Sequence, residues 1–265
     1  MIISPTHSSL QKHIDYYWIV NDVKALLGPQ SHIFAYPGIT PDMLIVLEGN
    51  YSFQYMGETF VGDKGVLFSF IYDQMKVDFS SLKSFILIKF KSRSLSSLRP
   101  FVDYNSEILM KNSVANWGDV FGTKVEAFRR KLARLDAMEI ASELDEWFLS
   151  HYKSENEGFV VEMAQELGSN FSLQTLREVT QYSYSTLERY FKKETGLTPK
   201  KFQSLQRYKQ VAREICTTRN TDWQYYVTEY DYFDQSHFIK EIKRYTSLTP
   251  TQLLEAPSFI GIRPM

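Results

Sequence analysis

Cysteine is almost missing. Cys216 is the only one in 265 residues, so no internal disulfide and no thiolate metal cluster can form. A reducing, cytoplasmic setting is the expectation that follows. Long apolar runs are missing too, and nothing approaches the roughly 18 residues that would suggest a membrane span. The opening "MIISPTHSSLQKH" has no basic start followed by an apolar run, so no secretory leader is expected. Histidines are few, and His7, His13, His32, His151 and His237 include no pair at metal-site spacing. No metal and no cofactor are therefore expected. Gly-x-Ser-x-Gly, a phosphate-binding Gly-rich loop and a dinucleotide fingerprint are all absent. The 21 acidic residues before position 171 single out no carboxylate pair. No catalytic residue is assigned, and no enzyme is expected.

What is present divides the chain. The net charge of −1 hides an asymmetry: residues 171–255 carry 13 Lys+Arg against 10 Asp+Glu, while residues 1–170 carry 16 against 21. The C-terminal third is mildly basic, which by itself is as consistent with a solvated surface as with a polyanion partner.

The first ninety residues hold short apolar runs rich in aromatic and β-branched residues: "YYWIV" (16–20), "HIFAY" (32–36), "MLIVL" (43–47), "YSFQYM" (51–56), "GVLFSF" (65–70) and "SFILIKF" (84–90). Turn signals separate them at Gly28-Pro29, Pro37-Gly38, Glu48-Gly49-Asn50 and Gly62-Asp63. Short strands at this spacing predict an antiparallel β barrel or sandwich. In 84–90 both alternating faces are partly apolar, which predicts a strand covered on two sides. The aromatics Tyr17, Trp18, Phe34, Tyr36, Phe53, Tyr55 and Phe68 suit core packing or the lining of a pocket, and no ligand residue is assigned among them.

From about residue 93 the pattern turns helical. Over 123–151, Val125, Phe128, Leu132 and Leu135 form one stripe and Ile140, Leu144, Trp147 and Phe148 a second. Such stripes fit packing on the β-rich part or pairing with a second copy. "KSENEG" (153–158) is polar and reads as the loop before the second half, giving domains 1–156 and 157–265 and an overall α+β class.

Within the second half one phrase is written twice. "STLERYFKKETGLTPKKF" (185–202) lies over "SHFIKEIKRYTSLTPTQL" (236–253) at an offset of 51. Leu187 meets Phe238, Phe191 meets Ile242, Leu197 meets Leu248, and Thr198-Pro199 meets Thr249-Pro250. Thr before Pro fits a helix start, with Thr as N-cap and Pro at the first helical position. A shorter amphipathic segment precedes each copy: one shows Leu173, Leu176 and Val179, the other Trp223, Tyr226, Val227 and Tyr230. Each turns, at Gln181-Tyr182 or at Asp231 to Asp234, into a good N-cap, Ser183 or Asp234. Helix, short turn and capped second helix is the helix-turn-helix pattern, present twice.

On "TLERYFKKETGLTPKKF", "QRYKQVAREIC" and above all "DQSHFIKEIKRYTSLTP", the region from about Phe171 to Leu254 resembles the DNA-binding domain of AraC/XylS-type transcriptional regulators. "YPGITPDMLIVLEG" (36–49), in its β-rich setting, is similar to the sensor-like domain found before that module. The resemblance implies a linking helix over roughly Lys200–Cys216, about 25 Å long at ~1.5 Å per residue. It places Ser185, Glu188 and Arg189 of the first copy, and Ser236, Ile239 and Lys240 of the second, at base edges. Gln235 adds contacts at the helix start, and Lys192, Lys193, Lys243 and Arg244 are phosphate partners. His237 then takes a helix-start or backbone role.

The same resemblance implies double-stranded DNA as partner, with a small-molecule effector and a homodimer as further candidates. Four positions depart from the family's pattern: Arg177 and Val227 stand where alanine is usual, Gln181 and Asp231 where glycine is usual. The reading is a sequence-specific, DNA-binding transcriptional regulator controlled through its N-terminal domain. Its rival is a protein-interaction module that keeps the fold and has lost DNA binding.

Overall fold

The computed structural model describes residues 1–28, 32–38, 40–69, 71–91, 114–122, 124–152, 160, 163–164, 172–195 and 197–255. The chain forms two compact units. One comprises Met1–Ile33, Thr40–Phe70 and Val77–Gly158; the other comprises Phe34–Ile39, Ile71–Lys76 and Phe159–Met265.

The first unit is sheet-rich. The strands are β1 (Ile2–Ile3), β2 (Ile14–Val20), β3 (His32–Ala35), β4 (Asp42–Gly49), β5 (Tyr51–Tyr55), β6 (Glu58–Gly62), β7 (Gly65–Phe68), β8 (Met75–Asp78), β9 (Leu82–Phe90) and β10 (Val114–Asn116), of which β3 and β8 each have two residues in the second unit. Six of them make one sheet in the order β1-β2-β9-β4-β7-β10, and four make another in the order β3-β8-β5-β6. The arrangement is sandwich-like, and no closed barrel forms among the described residues. In the central strand β9, Phe85, Ile86, Ile88 and Phe90 are all buried, so the expected two-sided coverage is present. Lys89, the one cation in that run's interior, is neutralised by Asp42 at 2.7 Å across to β4. The β5–β6 hairpin turns on Met56 and Gly57, both at positive φ (51° and 83°), the geometry that matches strand twist.

Of the aromatics weighed as pocket or core, Tyr17, Trp18, Tyr36, Phe53, Tyr55 and Phe68 are buried. Phe53 stacks on Phe60 at 4.9 Å and meets Phe68 edge-on at 5.3 Å, while Trp18 meets Phe85 edge-on at 5.6 Å. These contacts are packing. Phe34 is half-buried.

Short helices α1 (Ser8–Gln11) and α2 (Val23–Leu27) flank β2, and α3 (Trp117–Phe121) follows β10. One expectation is corrected here. The stretch beyond residue 93 is not helical throughout, because Val114–Asn116 pairs antiparallel with β7; residues 92–113 lie outside the described residues. The span 123–151, read as two stripes, forms two helices, α4 (Val125–Leu132) and α5 (Ala137–His151). Asp136 causes the break: its carboxylate accepts the Met138 and Glu139 N–H groups at 2.8 and 2.9 Å, and Glu139 accepts the Asp136 N–H at 2.9 Å. This reciprocal capping box starts a new helix. Both stripes pack within the unit. Phe148 stacks on Tyr17 and meets Phe90, and Phe128 stacks on Trp147 at 5.4 Å. The "KSENEG" loop lies outside the described residues.

The second unit is helical, with α6 (Leu173–Thr180), α7 (Tyr184–Thr195), α8 (Pro199–Thr218), α9 (Trp223–Glu229), α10 (Gln235–Thr246) and α11 (Pro250–Glu255). Helix α8, at 20 residues about 30 Å long, starts at the Thr-Pro of the first copy and ends just before α9. It buries Phe202, Leu205, Tyr208, Val211, Ala212 and Ile215 at spacings of three and four.

Candidate nucleic-acid interface

The two helix-turn-helix units are α6–α7 and α9–α10, and local chemistry explains each boundary. Ser172 caps α6 by accepting the Thr175 N–H at 2.9 Å. Helix α6 closes on Gln181, whose φ of 58° is left-handed and whose N–H returns to the Arg177 carbonyl at 2.8 Å. Ser183 Oγ then accepts the Thr186 N–H at 3.2 Å and begins α7. In the second unit Asp222 caps α9, Asp231 takes φ 55°, and Asp234 caps α10 by accepting the His237 N–H at 2.6 Å. Gln181 and Asp231 thus adopt the conformation in which glycine costs least, so the turns survive without glycine. At the other two departures, Arg177 is exposed and Val227 is buried within its helix pair. The Thr-Pro starts are as expected. Thr198 accepts the Lys201 N–H at 3.4 Å ahead of Pro199, and Thr249 accepts the Gln252 N–H at 3.2 Å ahead of Pro250.

One face of each second helix is core. Leu187, Phe191 and Thr195 of α7 are buried, as are Phe238, Ile242, Tyr245 and Thr246 of α10. The opposite faces are open. Ser185, Arg189, Lys192 and Lys193 are exposed on α7, and Gln235, Ser236, Lys240, Lys243 and Arg244 on α10. Glu188 and Ile239 are half-buried at the margins. Glu188 sits 3.8 Å from Lys192 in an exposed i, i+4 pair that holds the lysine only weakly. The Arg189 guanidinium lies 5.7 Å from the Tyr190 ring centroid, and that of Arg244 5.6 Å from the Tyr245 ring. Each helix therefore carries small polar groups near its start and cations through its later turns. Such a surface suits base edges first and phosphates further along.

Two features escaped the sequence reading. The first is an ionic lock. Arg207 of α8 grips Glu241 of α10 with Nε at 3.0 Å and Nη2 at 2.7 Å, and Ser204 Oγ donates to the same carboxylate at 2.9 Å. The guanidinium also lies over the Tyr232 ring at 4.3 Å. Burial pulls the Arg207 pKa down, but the hydrogen bond and charge of Glu241 outweigh it and hold the group above its usual value. Burial, followed by the Glu241 charge, pushes the Tyr232 hydroxyl well up, so it stays protonated. The signal for this lock was Glu241 standing where the first copy has Tyr190.

The second feature is Phe233, whose residue is 91% exposed immediately before the Asp234 cap. Its N–H reaches His237 Nδ1 at 3.4 Å, giving His237 a helix-start role in that contact. At the offset of 51 its counterpart in the first unit is Tyr182, which is half-buried. Only Tyr182 lies between Gln181 and Ser183, whereas both Tyr232 and Phe233 lie between Asp231 and Asp234.

Among the described residues no group of three or more His, Cys, Asp or Glu is placed to hold a metal ion. No described helix is long and apolar enough to cross a membrane.

Comparison with known proteins agrees with the geometry over this region. Residues 176–256 match the model of a helix-turn-helix domain family. No curated protein matches the chain. Among solved structures, apo ToxT from Vibrio cholerae, in a lysine-to-alanine variant, aligns over 90% of this chain and 95% of its own at 9% identity, with a TM-score of 0.51. Wild-type ToxT with an unsaturated fatty acid bound aligns over 90% and 93% at 9% identity, with a TM-score of 0.45. At such identity the first of these likenesses establishes a shared fold, with a sheet-rich N-terminal part and a helical C-terminal part.

Proposed function

We propose that this protein is a sequence-specific, DNA-binding transcriptional regulator of the AraC type, a reading supported by the match of residues 176–256 to a helix-turn-helix domain family. One observation carries the reading. Two helix-turn-helix units repeat at an offset of 51, and each presents an exposed polar and cationic face on its second helix. Ser185, Arg189, Ser236 and Lys240 face base edges, with Gln235 at the start of α10 and Glu188 and Ile239 at the margins. Arg189 and Lys240 suit guanine, and Ile239 suits a thymine methyl. Lys192, Lys193, Lys243 and Arg244 take phosphates and set register. Phe233 adds an apolar ring beside Gln235, again suited to a thymine methyl. The sheet-rich unit, residues 1–156 in the main, is the place for control by a small-molecule effector or by pairing with a second copy. The setting is the cytoplasm, and no catalytic step is assigned.

Selection of the full-length protein against random DNA pools, followed by salt titration, tests this. The expected result is a two-box motif lost in Arg189→Ala and in Lys240→Ala. The slope of log affinity against log salt should fall by about 0.9 for each phosphate contact removed at Lys192, Lys193, Lys243 or Arg244. Pools that enrich nothing, with and without cell extract, would overturn the reading in favour of a protein-interaction module built on the same fold.

A further inference from the structure

The helical unit includes two pieces of chain from far upstream, Phe34–Ile39 and Ile71–Lys76. They are joined to each other by an antiparallel bridge in which the Gly38 N–H donates to the Ile71 carbonyl at 2.9 Å. Gly38 lies against the linking helix, where a Cβ would stand 3.1 Å from Lys209 Nζ. Tyr36 is buried among Gln74, Tyr208 and Cys216. From this anchorage two side chains reach the recognition helices. The Tyr72 hydroxyl donates to the Thr195 carbonyl at 2.9 Å, and Gln74 Nε2 donates to the Thr246 carbonyl at 3.2 Å.

Thr195 and Thr246 are the same position of the repeat, 51 residues apart, and each is the last residue of its recognition helix. Their surroundings are duplicated as well. Each Oγ1 donates back four residues, to Phe191 O at 2.7 Å and to Ile242 O at 2.8 Å. Each also accepts the N–H two residues on, from Leu197 at 3.1 Å and from Leu248 at 3.0 Å. The final carbonyls of a helix have no partner within it and carry the negative end of its dipole. One short segment supplies a donor to this end of both helices, from residues two apart on a chain whose intervening Asp73 is exposed.

We propose that residues 71–76 are a strap that ties the two recognition helices together and so sets the half-site spacing that the pair accepts. This rests on the DNA-reading function above. Because the strap shares Met75 and Lys76 with β8, a change in that strand would act on both helix-turn-helix units at once, not on one.

The test uses full-length Tyr72→Phe, Gln74→Leu and the double variant, each near-isosteric. Hydrogen exchange of the free protein is read first, at the amides of residues 197 and 247–248 that close the two helices. The expected result is that either single variant raises exchange at both helix ends, about three- to tenfold for one lost hydrogen bond. Exchange raised only at the end that lost its own donor, or at neither, would overturn the strap. Binding is then measured on two-box DNA with the spacing varied by one to three base pairs. Wild type should favour one spacing steeply, and the double variant should bind the altered spacings with a smaller penalty. An unchanged spacing profile would also overturn the proposal. Failure of the wild type to bind any DNA would instead sink the regulator reading, and the exchange result would still decide whether the strap couples the helices.

Discussion

In the first helix-turn-helix unit the left-handed residue Gln181 is followed by one residue and then the cap Ser183; in the second, Asp231 is followed by two residues and then the cap Asp234. The left-handed residue thus lies one position further from its cap in the second unit, where Phe233, at the place of Tyr182, is turned out to solvent. The units also differ in how they hold the linking helix. Phe191 of the first meets Phe202 of α8 edge-on at 5.3 Å, an apolar contact. The second adds Tyr245 stacked on Tyr208 at 4.5 Å and the two-pronged grip of Arg207 on Glu241. A ring contact tolerates sliding. A planar guanidinium on a carboxylate does not, because both hydrogen bonds require one orientation. The second unit is therefore the more rigidly oriented on α8.

Removing the lock should have the largest effect. Arg207→Ala leaves the Glu241 carboxylate buried and unpaired, and should cost about 3–5 kcal/mol in urea unfolding. The paired change Arg207→Met with Glu241→Leu should recover most of that loss. If Arg207→Ala costs no more than a surface substitution, the asymmetry between the units is not energetic. The caps come next. Asp234→Ala and Ser183→Ala should each cost about 0.5–2 kcal/mol, with Asp234 the larger because its bond is charge-assisted and shorter, 2.6 against 3.2 Å.

Glycine at the left-handed positions should move stability the other way. Gln181→Gly should stabilise by up to about 1 kcal/mol and Asp231→Gly by less, since aspartate tolerates this conformation better. A loss in either variant would show that the side chain contributes more than the backbone relief. Phe233→Ala should be the smallest in thermal unfolding, within about 0.5 kcal/mol. Its effect belongs in the selected DNA motif, as a weakened preference for thymine in the second box. An unchanged motif would leave Phe233 without a reading role.

Much of the helical unit was legible because its signals are local. A helix start depends on a side chain reaching an N–H two or three residues ahead, so Ser183, Thr198, Asp234 and Thr249 announced their helices. The offset of 51 located equivalent positions through both recognition helices. Even the break before α5 was written in Asp136 and Glu139, three residues apart and between the two apolar stripes. Val179 misled: it keeps the helical spacing of Leu173 and Leu176 but is 54% exposed, because a short helix buries only part of its apolar stripe.

By itself, then, the sequence determined the two helix-turn-helix units, their caps and the strand-rich character of the first ninety residues. Each is settled by backbone and side-chain chemistry within a few positions. Tertiary structure decided that β10 joins the large sheet, that Arg207 closes on Glu241, and that Tyr72 and Gln74 meet Thr195 and Thr246. Those last partners stand 123 and 172 residues apart. A hydrogen bond over such separation imposes no period, cap or turn on its neighbours, so it leaves no local mark and exists only once the chain has folded.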